Sequence, residues 1–400
     1  MNDFVIFVLL FVATGAGWWL GRRSNRATAV PAPGQYYKGL NYLIDGRPDG
    51  AVDAFINALE VNTETLETHI ALGNLLRRRG EVDRAIRIHQ NLLARPSLPR
   101  LHVHQAHLEL ARDYISAGLF DRAERLLLDL VKDAPEQRRA GRRHLLEIFQ
   151  SQREWANAIE VATALLPRKS LLGSATTEVL SASRQPVELV LAHYHCELAA
   201  ELVEQGDVAE ARTQLQLALS RDRDCVRASI MLGVLECQSG HYRQAIRILR
   251  KVRQQDPDYV PETLATLREC YHQQNDTQAM RRYLEECFQA NPSAPLVLAL
   301  ADDIREQSGD DAAAEFLSEQ LARHPSLSGL AGLIGLQIRH VDGRLRDNLG
   351  VLEKLVQRLI AERPTYRCGH CGFSGRQLHW FCPGCKHWGT VKALFGNRVG

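Results

Sequence analysis

A turn residue recurs along this chain at nearly constant intervals. Gly46, Gly80, Gly118, Arg153, Gly206, Gly240, Asn275, Gly309 and Gly343 each separate two apolar helical stretches, at spacings of 34, 38, 35, 53, 34, 35, 34 and 34 residues. A period near 34 is that of the tetratricopeptide repeat, whose helix pairs cannot bury their apolar faces alone and must stack on their neighbours. The side chains around each turn agree with this phase. Five places beyond it come Ala51, Ala85, Ala123, Ala158, Ala211, Ala245 and Ala314, with Met280 and Asn348 as the departures. A small residue there lets two helices approach closely. Nine places beyond come Phe55, Leu127, Leu215, Leu249, Leu284 and Leu352, read as the large partners that fill the space between helices. Seven places before the turn the residue is again small, at Gly39, Gly73, Ala111, Ala199 and Gly233. Pro96, Pro135, Pro257, Pro292 and Pro325 stand where a helix should stop. The expected fold is therefore all-α, a solenoid of about nine helix pairs. The one long gap divides it into an N-terminal block over 35–170 and a C-terminal block over 188–364. A Ser/Thr-rich loop over 171–187 lies between them.

Stacked repeats present an extended surface for peptides or proteins and bring no chemistry of their own. No catalytic motif offsets that expectation. The chain has no H-E-x-x-H, no G-x-x-x-x-G-K-[ST] and no G-x-S-x-G. The run GLAGLIG, Gly329 to Gly335, follows no strand pattern and sits inside a repeat. His104 and His107 share a helix face, but only Glu109 stands near them at ligand spacing, so a surface or inter-repeat role is expected. His193 and His195, two apart, point to different helix faces. Cys196, Cys225, Cys237, Cys270 and Cys287 show no pairing pattern, which suits small core residues in a reducing compartment. The net charge of +2 comes without a basic stripe, which argues against a nucleic-acid partner. The chain reads as a scaffold or adaptor rather than an enzyme, with no catalytic residues.

The N-terminus carries a different signal. Phe4 to Leu20 is 17 residues without a charge. As a helix it would span roughly 25 Å, near the lower limit for a bilayer core. Trp18 and Trp19 fall where an interfacial aromatic belt belongs, and Arg22, Arg23 and Arg26 follow at once. A cleaved signal peptide would carry its positive charges before the apolar run; here they come after it. By the positive-inside rule the rest of the chain faces the cytoplasm. The expected layout is a single-pass anchor over 1–23 and a stiff linker over 24–34. Gly17 and Gly21 form one G-x-x-x-G at the end of the run, a spacing that can pair two copies into a homodimer, but a single copy at the edge reads as incidental.

The most specific local signal lies at the other end. Cys368-x-x-Cys371 and Cys382-x-x-Cys385 are separated by ten residues. Each pair can form a tight knuckle in which two thiolates face one ion, and two knuckles together give a tetrahedral sulfur site. Gly369, Gly372, Pro383 and Gly384 supply turn geometry. A redox C-x-x-C would open a helix in a βαβ unit, and none is present. All four positions are taken, so a closed structural site is expected, with metal ligands Cys368, Cys371, Cys382 and Cys385. Zinc is the first choice and iron the second. His370, His379 and His387 stand close enough in sequence to replace a sulfur, but the set is complete without them. Phe373, Trp380, Phe381 and Trp388 are expected to cover the site, because a module over 365–400 has little other core.

An anchor ending GWWLGRRS, a tetratricopeptide array and a terminal YRCGHCGF…HWFCPGCKHWGT, in that order, resemble the lipopolysaccharide assembly protein B family of Gram-negative bacteria. The resemblance covers essentially the whole chain. The family's metal module is called rubredoxin-like, and its cysteines fall on Cys368, Cys371, Cys382 and Cys385. The ten-residue linker is much shorter than in true rubredoxins, which favours a structural or docking role over electron transfer. The resemblance implies an inner-membrane adaptor. It would promote degradation of the lipid A-committing deacetylase by the membrane-bound protease FtsH and scaffold other lipopolysaccharide synthesis or transport proteins. The competing readings are a generic membrane-tethered scaffold and a redox role for an iron-bound module.

Overall fold

The computed structural model describes residues 66–94, 98–166 and 185–394, with scattered positions before residue 66. The apolar run over 4–20, the linker, the turn at Gly46 with Ala51 and Phe55, Gly39, Pro96 and nearly all of the 171–187 loop lie outside the described residues. Among the described residues no helix is long and apolar enough to cross a membrane.

Helices follow one another as antiparallel pairs. They are α1 (Leu66–Arg78) with α2 (Val82–Leu93), α3 (Arg100–Ser116) with α4 (Phe120–Asp133), and α5 (Arg138–Gln152) with α6 (Trp155–Thr163). Then come α7 (Val187–Glu204) with α8 (Val208–Arg221) and α9 (Val226–Gln238) with α10 (Tyr242–Leu249). A short α11 (Val252–Gln255) and a 3-10 turn (Pro257–Thr263) lead into α12 (Leu264–Gln273) with α13 (Thr277–Ala290). The series ends with α14 (Ala294–Ser308), α15 (Asp310–Arg323), α16 (Leu327–Gln337) and α17 (Arg344–Glu362).

Every expected turn residue within the described residues adopts positive φ: Gly80, Gly118, Arg153, Gly206, Gly240, Asn275, Gly309 and Gly343. The reason is the way a helix ends against an antiparallel partner. At the first turn Glu81 N–H donates to Leu76 O at 2.9 Å and Gly80 N–H to Arg77 O at 3.0 Å. That pair of bonds is a Schellman cap, which needs a left-handed residue between them. The same 6→1 bond closes the turns at Gly118, Arg153, Gly206, Gly240 and Asn275, through Leu119, Glu154, Asp207, His241 and Asp276. Arg153 and Asn275 hold φ of 60° and 53° without being glycine, so the repeat geometry outweighs the side-chain cost.

The chain divides into two compact units, 1–141 and 142–400. In the first, α1, α2 and α3 meet at Leu66, Ile70, Leu76, Ala85, Ile88, Leu92 and Ala106, all buried. Gly73 permits that approach, because a Cβ there would lie 2.5 Å from the His89 ring. A buried polar knot ties the three helices. Arg77 reaches Asp113 at 2.6 Å and Glu109 at 2.8 Å, and His89 reaches the second Asp113 oxygen at 2.5 Å. Removing one partner would strand the others' charge away from water.

In the second unit the small and large positions are filled as the phase requires. Ala158, Ala211, Ala245, Leu215, Leu249 and Leu284 are buried. Gly233 faces Leu249 so closely that a Cβ would lie 2.4 Å from two of its carbons. The GLAGLIG run lies within α16, where Ser326 Oγ accepts the Gly329 N–H. One large-partner assignment fails. Leu352 is 44% exposed, and Val356 is the fully buried side chain of α17. A second-helix residue at this phase packs partly on the next repeat. After α17 the chain turns into strands, so Leu352 has nothing to fill.

Candidate metal centre

Beyond α17 the chain forms three short strands, β1 (Tyr366–Cys368), β2 (Ser374–Gly375) and β3 (Val391–Ala393). They make an antiparallel sheet in the order β2-β1-β3, with Cys368 opposite Val391. Two knuckles are built on this sheet by the same local device. Gly372 N–H donates to Cys368 O at 3.0 Å, and Lys386 N–H donates to Cys382 O at 2.9 Å. Gly372 and Lys386 both turn left-handed, at φ of 78° and 59°, which folds each second cysteine back toward the first. Gly384 leaves room for the opposite knuckle, since a Cβ there would come within 3.3 Å of Cys371 Sγ.

The four sulfurs of Cys368, Cys371, Cys382 and Cys385 lie within 4.8 Å of one another. Cys368 Sγ is 3.7 Å from Cys385 Sγ, and Cys371 Sγ is 3.7 Å from Cys382 Sγ. A tetrahedron with metal–sulfur bonds of about 2.3 Å has edges of about 3.8 Å, whereas a disulfide holds its sulfurs at about 2.05 Å. The donor set therefore fits one tetrahedral metal ion, and zinc suits it.

The knuckle backbone prepares charge unevenly. Burial raises the Cys368 thiol most. Donors from Thr390, the backbone of Cys371 and His370, and Cys382 outweigh it and bring the thiol down to about 6. Cys385 is pushed up to about 12, first by burial. A backbone bond at His387 opposes this, and the neighbouring thiols reinforce it. Metal binding takes up thiolates, so loading this site releases protons.

The aromatic residues do more than cover the sulfurs. Phe373 packs against the buried Cys368–Cys382–Val391 cluster, but Trp380 and Trp388 face the repeats. Trp388 stacks on His193 of α7 at 4.9 Å between centroids and 18° between planes, and meets Trp155 and Tyr194 edge-on. Trp380 stacks on Tyr259 at 5.3 Å, and the Arg227 guanidinium lies over its ring at 6.0 Å from the centroid. The backbone of Trp388 is held at both ends by Gln185, whose amide nitrogen donates to Trp388 O and whose oxygen accepts Trp388 N–H, each at 2.9 Å. Tyr259 hydroxyl donates to Val391 O at 2.8 Å, Tyr366 hydroxyl to Glu262 at 2.9 Å, and Lys392 pairs with Asp256 at 2.7 Å and Asp258 at 3.0 Å. Within the second unit the module is fastened to the repeats by stacking, hydrogen bonds and ion pairs together.

His193 is buried in that seam, and desolvation followed by the Arg227 charge lowers it from 6.5 to about 3. It is neutral and serves as a packing ring. His195, on the other side of α7, bonds Gln214 at 2.7 Å. His104 instead contacts Glu136 at 2.5 Å, and burial and then the His104 charge lower the neighbouring His107. Cys196, Cys225, Cys270 and Cys287 are buried. Sequence reasoning missed Gln185, Asp256, Asp258, Tyr259 and Glu262 as residues of the site. Only the apolar-aromatic DYVP run among them carried a local signal.

Comparison with known proteins agrees with the architecture. Family models described as tetratricopeptide repeat match residues 68–101, 108–170 and 202–270, and one described as rubredoxin metal binding domain matches 366–393. The lipopolysaccharide assembly protein B of Escherichia coli K12 is 37% identical over 397 residues, covering 98% of each chain. That of Haemophilus influenzae is 36% identical over 403 residues, again covering 98% of each. Among solved structures, the C-terminal part of a repeat protein from Cytophaga hutchinsonii aligns at a TM-score of 0.38 and 13% identity, covering 66% of this chain and 99% of that one.

Proposed function

The chain belongs to the lipopolysaccharide assembly protein B family, and from that premise we propose that it is a membrane-tethered, non-enzymatic adaptor. It brings the lipid A-committing deacetylase to the membrane-bound protease FtsH and thereby limits lipopolysaccharide synthesis. The observation that carries this reading is 37% identity with a family member over 98% of both chains. Residues 1–23 hold the chain at the inner membrane with its bulk facing the cytoplasm. Residues 24–34 link the anchor to repeat blocks over 35–170 and 188–364, which offer surfaces to the client and to other lipopolysaccharide proteins. In the module over 365–400, Cys368, Cys371, Cys382 and Cys385 hold one zinc ion.

The zinc supplies rigidity. With four thiolates around it no position is open to a substrate. The ion fixes the knuckle that carries Trp388, and Trp388 fastens the knuckle to α7. Tethering then raises the effective concentration of client and protease at the membrane.

The test is the half-life of the deacetylase in cells with the chain, without it, and with Cys368→Ser. Loss of the chain should lengthen the half-life, and Cys368→Ser should lengthen it in the same direction. An unchanged half-life without the chain would refute the proposal.

A further inference from the structure

The four-sulfur centre has a neighbour. His370, Cys385 and His387 each offer a donor atom, and the three atoms lie within 4.8 Å of one another. The two imidazoles stack face to face at 3.9 Å between centroids and 25° between planes. They come from different knuckles; His370 is exposed and His387 half-buried, whereas Cys368 and Cys382 behind them are buried.

We propose that His370, His387 and the Cys385 thiolate form a second metal site, for a d10 ion such as zinc, with Cys385 Sγ shared between the two ions. Three physical points carry this. First, His387 Nδ1 lies 2.8 Å from Cys385 O. A carbonyl only accepts, so Nδ1 bears the proton and the lone pair is left on Nε2. A carbonyl bond to the second ring nitrogen is how metal-binding histidines are usually oriented. Second, the left-handed turn at Lys386 folds His387 back beside Cys385 and sends the lysine ammonium over the Phe381 ring, 5.7 Å from its centroid. The cation nearest in sequence is thus occupied elsewhere. Third, four thiolates around one divalent ion carry a net charge of about −2. That charge attracts a second cation, and a thiolate has lone pairs enough to bridge two.

Two imidazoles and one thiolate are borderline-soft donors suited to zinc. Donors around a tetrahedral ion sit about 3.3–3.8 Å apart, so three atoms already within 4.8 Å of one another close by a small movement, chiefly of the exposed His370 ring. Three protein ligands leave one position for water, which makes this ion exchangeable where the first is enclosed.

The inference presupposes an ion on the four thiolates, and the test separates the two. The metal-free full chain is loaded with one equivalent of zinc, then titrated with cobalt(II). The same is done for His370→Ala/His387→Ala, whose substitutions leave the four sulfurs in place. The expected result is one zinc in both proteins. A cobalt equivalent should bind only the wild type and give a thiolate-to-cobalt charge-transfer band. No first equivalent would overturn the four-thiolate centre itself. One zinc with no cobalt binding, or equal cobalt binding by the double variant, would overturn the second site alone. Cobalt bound without the charge-transfer band would overturn the shared thiolate.

Discussion

Acidification to pH 5 should loosen the metal module from the repeats, and His193 should account for a defined part of the loss. In the folded protein this ring is buried, stacked on Trp388 and faced by Arg227, and it accepts a proton only near pH 3. Arg227 is itself held by Glu197 at 2.7 Å, so the cation stays beside the ring. Undocked, His193 returns to its ordinary value of 6.5. The folded state therefore binds fewer protons below that pH. The stability is fully present above pH 6.5 and is lost as pH falls toward 3. At pH 5 the undocked ring is about 97% protonated, and linkage gives a loss of about 2 kcal/mol relative to pH 7.5. The assay is urea titration of the full chain at both pH values, read by tryptophan fluorescence, since Trp155, Trp380 and Trp388 all lie at the seam. His193→Phe is the control: it keeps an aromatic ring and cannot titrate. Acid also protonates the zinc-binding thiols, but equally in both proteins, so the difference between them isolates the histidine. Wild type should lose about 2 kcal/mol more than the variant between pH 7.5 and 5. Equal losses would refute the argument that a neutral His193 holds the module.

Two further outcomes follow from single contacts. Gln185→Ala strands a buried N–H and a buried C=O on Trp388, which should cost about 2–4 kcal/mol. Hydrogen exchange at the Trp388 amide should rise, and unchanged protection would remove Gln185 from the docking account. Gly233→Ala places a Cβ 2.4 Å from Leu249 and should lower the melting temperature, because overpacking of about 1–3 kcal/mol outweighs a helix-propensity gain of about 1 kcal/mol. Gly350→Ala, in α17 with nothing within 4 Å of its Cβ, should raise the melting temperature instead.

What the sequence made legible is what repeats locally. A Schellman cap needs a left-handed residue at a fixed place, as in six of the described turns, and that demand is strong enough to hold Arg153 and Asn275 in phase without glycine. Close helix approach needs a small residue, so Gly73 and Gly233 mark it. Among the described residues the phase misleads where the repetition stops. Leu352 occupies a position whose burial depends on a following repeat, and α17 is followed by strands. The knuckles were legible because two thiolates facing one ion require C-x-x-C within a tight turn. The docking seam was not, because Gln185 and Trp388 are 203 residues apart and no periodicity links them. From the sequence, Trp380 and Trp388 are expected to cover the ion because a small module needs apolar bulk. The bulk is there, but the module shares it with α7 and Tyr259.

That sharing ties the ion to the surface it helps create. Cys382 and Cys385 bracket one knuckle, and the residues just outside it, Phe381 and Trp388, pair across an isolated bridge with their rings 4.7 Å apart. Trp388 then reaches His193, Trp155 and Gln185. A lost ligand at Cys368 frees the knuckle, and the freed knuckle no longer presents Trp388 at a fixed place. Two repeat clusters contain none of these residues: Ala211, Leu215 and Leu232 close one, and Leu267, Tyr283 and Leu296 the other. Cys368→Ser should therefore leave a helical, folded array whose module has come away. An adaptor in that state would fail for want of one composite surface, not for want of folded repeats.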